Sequence, residues 1–163
     1  MAVVTKYGSG YKDPASLRAI DAVFAEGNMK AIFSKIDITN GDSIASLFYV
    51  GSIPSDAIID VGSTYYYEAV AGVTDLDVGF YRPNGGAVID ADAIIDGDDV
   101  SSAGSQTIAG HGTITTANSN KRAWEWAGLS SDPGGFLDIV ATLKAASTAT
   151  KSIIFNLRYS KKV

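Results

Sequence analysis

From Asn28 onward apolar and polar residues alternate with a period of two, the pattern of strands whose successive side chains point to opposite faces of a sheet. Over residues 28–38, Ile32, Ile36 and Ile38 share one face, and Lys35 and Asp37 occupy the other. Asn40 and Gly41 form a turn ahead of a second strand over residues 43–50. The corner Pro54, Ser55 and Asp56 introduces a third over residues 57–70, broken at Gly62. Leu76, Val78 and Phe80 then alternate with Asp77, Gly79 and Tyr81 and stop at residues 82–86, a run of turn-forming residues. Residues 87–95 read as a further strand. Residues 97–120 are mostly Ser, Thr, Gly and Ala and are not expected to be regular throughout.

Three more strands are expected in the C-terminal third. Over residues 121–127, Trp124 and Trp126 would share a face. Over residues 135–146, Leu137, Ile139, Ala141 and Leu143 point inward, and over residues 151–159 so do Ile153, Phe155, Leu157 and Tyr159. The last two would pair as an antiparallel hairpin through residues 147–150. Short strands separated by turns every 8–12 residues or so predict an all-β antiparallel sandwich, jelly-roll-like, over residues 28–163. Ahead of it, residues 1–27 carry no alternation and read as an arm with one short helix. Asp13 supplies the cap, Pro14 the first turn, Leu17, Ile20 and Phe24 the apolar stripe, and Gly27 the stop.

Composition narrows the function. The chain of 163 residues is 46% hydrophobic and 19% charged, enough to build one real core. It has no apolar run of about 20 residues to span a bilayer and no secretory pattern at the start, so synthesis in a cytoplasm and no membrane partner are expected. With no Cys, disulfides, thiolate metal sites and cysteine nucleophiles are excluded. A net charge of −5 argues against direct binding of nucleic acid.

Candidate chemistry is sparse. His111, the one histidine, has no marked nucleophile or orienting acid beside it and reads as a loop residue. Asp90, Asp92, Asp96, Asp98 and Asp99 offer hard oxygen ligands, but their spacing misses the helix-flanked calcium loop and they read as solvated acids. Trp124, Trp126 and Tyr66 would stack on sugars if exposed. Because alternate residues point apart, Tyr66 opposes Tyr65 and Tyr67, and one aromatic of each set belongs in the core. A dispersed carboxylate pair acting on glycosides would need a concave pocket holding both acids. The expectation is therefore no catalytic residue, no metal and no cofactor.

The strings Ile53-Pro54-Ser55-Asp56-Ala57-Ile58-Ile59-Asp60, Leu76-Asp77-Val78-Gly79-Phe80-Tyr81 and Asn84-Gly85-Gly86-Ala87-Val88-Ile89-Asp90-Ala91-Asp92 resemble tailed-bacteriophage capsid decoration, or cement, proteins. The resemblance runs from about Lys30 to Tyr159. It implies a β-sandwich on the outside of an icosahedral shell, commonly trimeric, partnered by the major capsid protein and located in the virion. No enzyme activity and no residue set come with it. On that reading Tyr7, Tyr11, Leu17 and Phe24 of the arm are the candidate capsid-interface residues. The rival is a carbohydrate-binding or receptor-binding module of a phage particle, working through Trp124, Trp126 and Tyr66.

Overall fold

A computed structural model describes residues 2–7, 29–111 and 119–161. The expected arm helix and the side chains of Tyr11, Leu17 and Phe24 lie outside the described residues, as does the side chain of Tyr7. The described strands are β1 (Thr5–Tyr7), β2 (Met29–Ile38), β3 (Leu47–Pro54), β4 (Ile58–Ile59), β5 (Thr64–Tyr67), β6 (Leu76–Tyr81), β7 (Val88–Asp98), β8 (Gly104–Thr107), β9 (Phe136–Leu143) and β10 (Lys151–Ser160). A 3₁₀ turn (Ile108–His111) and one turn of helix, α1 (Ala123–Trp126), complete the regular structure.

Sheet 1 has the order β1-β3-β9-β6-β7 and sheet 2 the order β2-β10-β5-β8, with β4 added beside β10. The pairings are nested: β2 with β10, β3 with β9, β5 with β8 and β6 with β7, all antiparallel. The chain is thus one long hairpin of paired strands. Rolling it up brings β10 against β5 and β9 against β6, which is the jelly-roll arrangement of a double-sheet sandwich. The all-β sandwich expected from alternation is therefore the observed fold.

The core lies between the sheets. Ile36, Phe155 and Tyr65 from sheet 2 meet Phe48, Phe80 and Ile139 from sheet 1, all of them buried. Gly51 of β3 lies so close to Ile32 of β2 that an added Cβ would sit 3.0 Å from two of its side-chain carbons. β1 pairs parallel to β3 at the sheet edge. Lys6 holds it there, donating from Nζ to Asp42 Oδ2 at 2.7 Å and Thr39 Oγ1 at 2.7 Å.

Three expectations are corrected. The second strand spans Leu47–Pro54 rather than residues 43–50, because Ala45 takes a φ of 67° and residues 43–46 turn. The expected turn at Asn40 and Gly41 is present, and it carries the chain from sheet 2 to sheet 1. β9 and β10 do not pair: each already has a neighbour on both edges, so residues 144–150 cross from one sheet to the other. Residues 123–126 are helical. The Glu125 carboxylate accepts from the Arg122 N–H at 2.9 Å, while the N–H groups of Ala123 and Trp124 donate to Ala57 and Ser55 carbonyls and dock the turn on the 55–57 corner.

Candidate functional site

β5 divides its three tyrosines between two faces, as period two requires. Tyr65 is fully buried, its ring 5.6 Å from that of Tyr67 and 5.8 Å from that of Phe155. Its hydroxyl donates to Asp98 Oδ2 at 2.6 Å and makes a short contact with His111 Nε2. Gln106 Nε2 donates both to Asp98 Oδ1 at 3.0 Å and to the Tyr67 hydroxyl at 3.1 Å. Burial, reinforced by the Asp98 bond and charge, pushes the Tyr65 phenol well above its ordinary range. It stays protonated and acts as a donor.

This cluster joins β5, β7, β8 and the 3₁₀ turn in one hydrogen-bonded unit. Asp98 and His111 side chains are 7% and 8% exposed, so the group is turned inward rather than toward a cleft. Two expectations change here. His111 is a buried partner of Tyr65 and not an ordinary loop residue, and Asp98 is an interior acceptor and not a solvated acid. The signal that could have found the cluster was the inward pointing of Tyr65 and Tyr67, whose hydroxyls need partners once buried.

The remaining acids also separate. Hydrogen bonding from the Ser101 side chain, and second from its N–H, holds the Asp99 carboxyl below the usual range. Asp90 is pushed up by burial first and by contact with Asp92 second. Among the described residues no group of three or more His, Cys, Asp or Glu is placed to hold a metal. Of two surface depressions, one carries a single carboxylate, Asp60, and the other a single one, Glu68.

The aromatic platform does not form as expected. Trp124 and Trp126 are two apart on a helical turn, so they point apart instead of sharing a face. Trp126 is buried against Phe80, with ring centroids 6.4 Å apart, and Trp124 is half-buried. Tyr66, on the outer face of β5, is 50% exposed. One tryptophan takes the expected core place, whereas two tyrosines, Tyr65 and Tyr67, are buried rather than one.

The two outer faces of the sandwich differ. On sheet 1 the chain folds back over itself. Every residue of β6 is buried, an added Cβ on Gly79 would lie 2.0 Å from the Asp90 carbonyl oxygen, and Tyr49, Tyr81 and Val140 form a small second core against Leu47 and Ala91. Gly85 N–H donates to Asp138 Oδ2 at 3.4 Å, and Ser52 Oγ donates to its Oδ1 at 2.5 Å. On sheet 2, register places Tyr66 beside Ile154 and Phe33 beside Asn156, one pair further along. Phe33 is 65% and Ile154 44% exposed.

Two solved phage capsid structures contain this fold. A chain from the capsid of Ralstonia phage GP4 superposes with a TM-score of 0.60 at 12% identity, covering 99% of each chain. A chain from the capsid asymmetric unit of cyanophage Pam1 gives a TM-score of 0.54 at 17% identity, covering 93% of this chain and 98% of that one. No family model and no curated protein matches the sequence. The strings that resemble decoration proteins fall on the end of β3, β4 and its approach, β6, and the turn into β7, all within the shared sandwich.

Proposed function

We propose that this chain is a virion structural protein that binds the outer surface of an icosahedral phage capsid and stabilises contacts between major capsid subunits. The observation that carries the reading is the likeness to chains of two phage capsid structures, which extends over nearly the whole length of all three chains. The acidic, cysteine-free composition fits a protein made in a cytoplasm and stabilised by packing and assembly. The chain acts by docking, without catalysis or cofactor, and as a homo-oligomer, a trimer being the form the resemblance implies.

The test is light scattering after size exclusion, followed by co-sedimentation with isolated heads of the phage that encodes it. A trimer that pellets with heads and raises their melting temperature is the expected result. A chain that ignores heads but binds on a glycan array would replace this reading with the carbohydrate-binding alternative, for which exposed Tyr66 is the remaining aromatic handle.

A further inference from the structure

The chain holds two Asn-Gly pairs, Asn40-Gly41 and Asn84-Gly85, both in turns and both with an exposed asparagine. Such a pair is chemically unstable in itself. The glycine nitrogen can attack the asparagine Cγ to close a five-membered ring, and glycine has no Cβ to hinder the approach. Whether the ring closes depends on how firmly the fold holds that nitrogen and the peptide around it.

The two turns differ in that respect. Around Asn40 each N–H is held: that of Thr39 donates to Asp42 Oδ2 at 2.8 Å, that of Asn40 to Thr150 Oγ1 at 3.0 Å, that of Gly41 to the Ser147 carbonyl at 3.0 Å and that of Asp42 to the Thr39 carbonyl at 3.0 Å. Asp42 is gripped in addition by Lys6. The nitrogen that would attack is thus fixed against a carbonyl of another loop. In the 82–87 turn the closing bonds lie at the base, from Arg82 N–H to the Ala87 carbonyl at 2.8 Å and from Gly86 N–H to the Arg82 carbonyl at 3.1 Å. Asn84 and Gly85 are exposed at the tip beyond them, and among the described residues no hydrogen bond holds Asn84. Asn84 also takes a φ of 62°, in the left-handed region that a residue with a side chain enters at a cost. The Gly85 N–H makes one contact, of 3.4 Å to Asp138 Oδ2, longer than the ordinary range for such a bond.

We infer that Asn84 is a site of spontaneous covalent modification, converting through a cyclic imide to aspartate and isoaspartate, while Asn40 is protected. In the first step the Gly85 nitrogen bonds to Asn84 Cγ and the Cγ–Nδ2 bond breaks. The side-chain nitrogen leaves as ammonia with the proton of the Gly85 N–H, which the facing Asp138 carboxylate is placed to relay. Water then opens the ring. Attack at the former side-chain carbonyl gives aspartate, and attack at the main-chain carbonyl gives isoaspartate, whose backbone runs through Cγ. Either product adds a negative charge at a tip whose next residue already faces the Asp138 carboxylate. Isoaspartate also inserts a carbon into backbone lying over Tyr49, since a Cβ on Gly85 would be 3.6 Å from the Tyr49 hydroxyl. Tyr49 belongs to the small second core under the fold-back, so the modification loosens the cover of sheet 1 as the protein ages. This chemistry belongs to the chain itself and does not depend on the virion role.

The test is incubation of the full chain in mildly alkaline buffer, native and in urea, with peptide mass spectrometry and isoaspartate labelling at both sites. The expected result is conversion at Asn84 about tenfold or more faster than at Asn40 in the native chain. In urea, where the shared Asn-Gly chemistry acts alone, the two rates should be similar. The Asn84→Gln chain, whose ring would be larger, should stay unmodified at that position, and the more acidic form separated by ion exchange should melt below the parent. Conversion at Asn40 as fast as at Asn84 in the native chain overturns the inference, as does an Asn84 that reacts in urea and not in the native fold. An acidic form that melts with the parent overturns the loosening of the cover.

Discussion

Tyr65 shows how one side chain can tie a sandwich together at its edge. Removing its hydroxyl in Tyr65→Phe leaves the buried Asp98 carboxylate with Gln106 as its principal donor. The expected cost is about 1–3 kcal/mol, seen as a lower urea midpoint at unchanged m-value. Asp90 has the opposite influence at neutral pH. Burial and the neighbouring Asp92 raise its folded pKa above the ordinary 3.8, so the native chain keeps the proton to higher pH than the unfolded chain does. Its contribution to stability is complete below that value and is lost as pH rises through the folded pKa. Asp90→Asn is therefore expected to be more stable than the parent at neutral pH, with the advantage shrinking toward pH 3 or so, in melting curves taken across that range. At this scale the inward tyrosines were legible in the strand period. The role of His111 was not, because its partners Tyr65 and Asp98 stand 46 and 13 positions away in the chain and only the roll of the sheets brings them together.

Among the elements, β6 and β7 make the sharpest prediction. Gly79 is passed so closely by the Asp90–Ala91 backbone that a methyl group would require the fold-back to move. Gly79→Ala should destabilise by about 3 kcal/mol or more, measured by chemical unfolding, and should expose Tyr49 and Tyr81 to fluorescence quenchers. β1 is tied down far more lightly. Lys6→Ala deletes the bonds to Asp42 and Thr39, and the expected outcome is faster amide exchange at Leu47, whose N–H donates to the Val4 carbonyl, with the rest of the sandwich little changed. Alternation located β2 and β10 well, since each has one face in the core, and it found β9 although the opposite face, with Asp138, Val140 and Thr142, is buried too. It misread residues 121–127, because an Ala-Trp-Glu-Trp run reads equally as a strand or as a turn of helix, and the deciding bonds come from Ser55 and Ala57. It understated β6, read as half-buried, because nothing local signals that residues after the 82–86 turn lie back over its outer side.

For the molecule as a whole, the nesting of strand pairs makes sequence-distant segments neighbours: Met29 is opposite Ser160 and Leu47 opposite Thr142. Folding dominated by such pairings is slow, so refolding is expected on a scale of milliseconds to seconds, followed by stopped-flow tyrosine and tryptophan fluorescence. A chain ending at residue 149 lacks β10, the strand that bonds to β2, β4 and β5, and should show no cooperative melting. The fold class was legible because every sheet has an alternating pattern, whereas strand order was not, since hydrophobic period is the same whichever strand lies alongside. The crossing at residues 144–150 also bears on how the protein is made. β9 and β10, the strands that fill the middle of the two sheets, leave the ribosome after all the others. A polypeptide cut short by a premature stop before Lys151 leaves the edges of β2, β4 and β5 unpaired and open to chaperones and proteases, so the order of synthesis exposes incomplete copies to quality control.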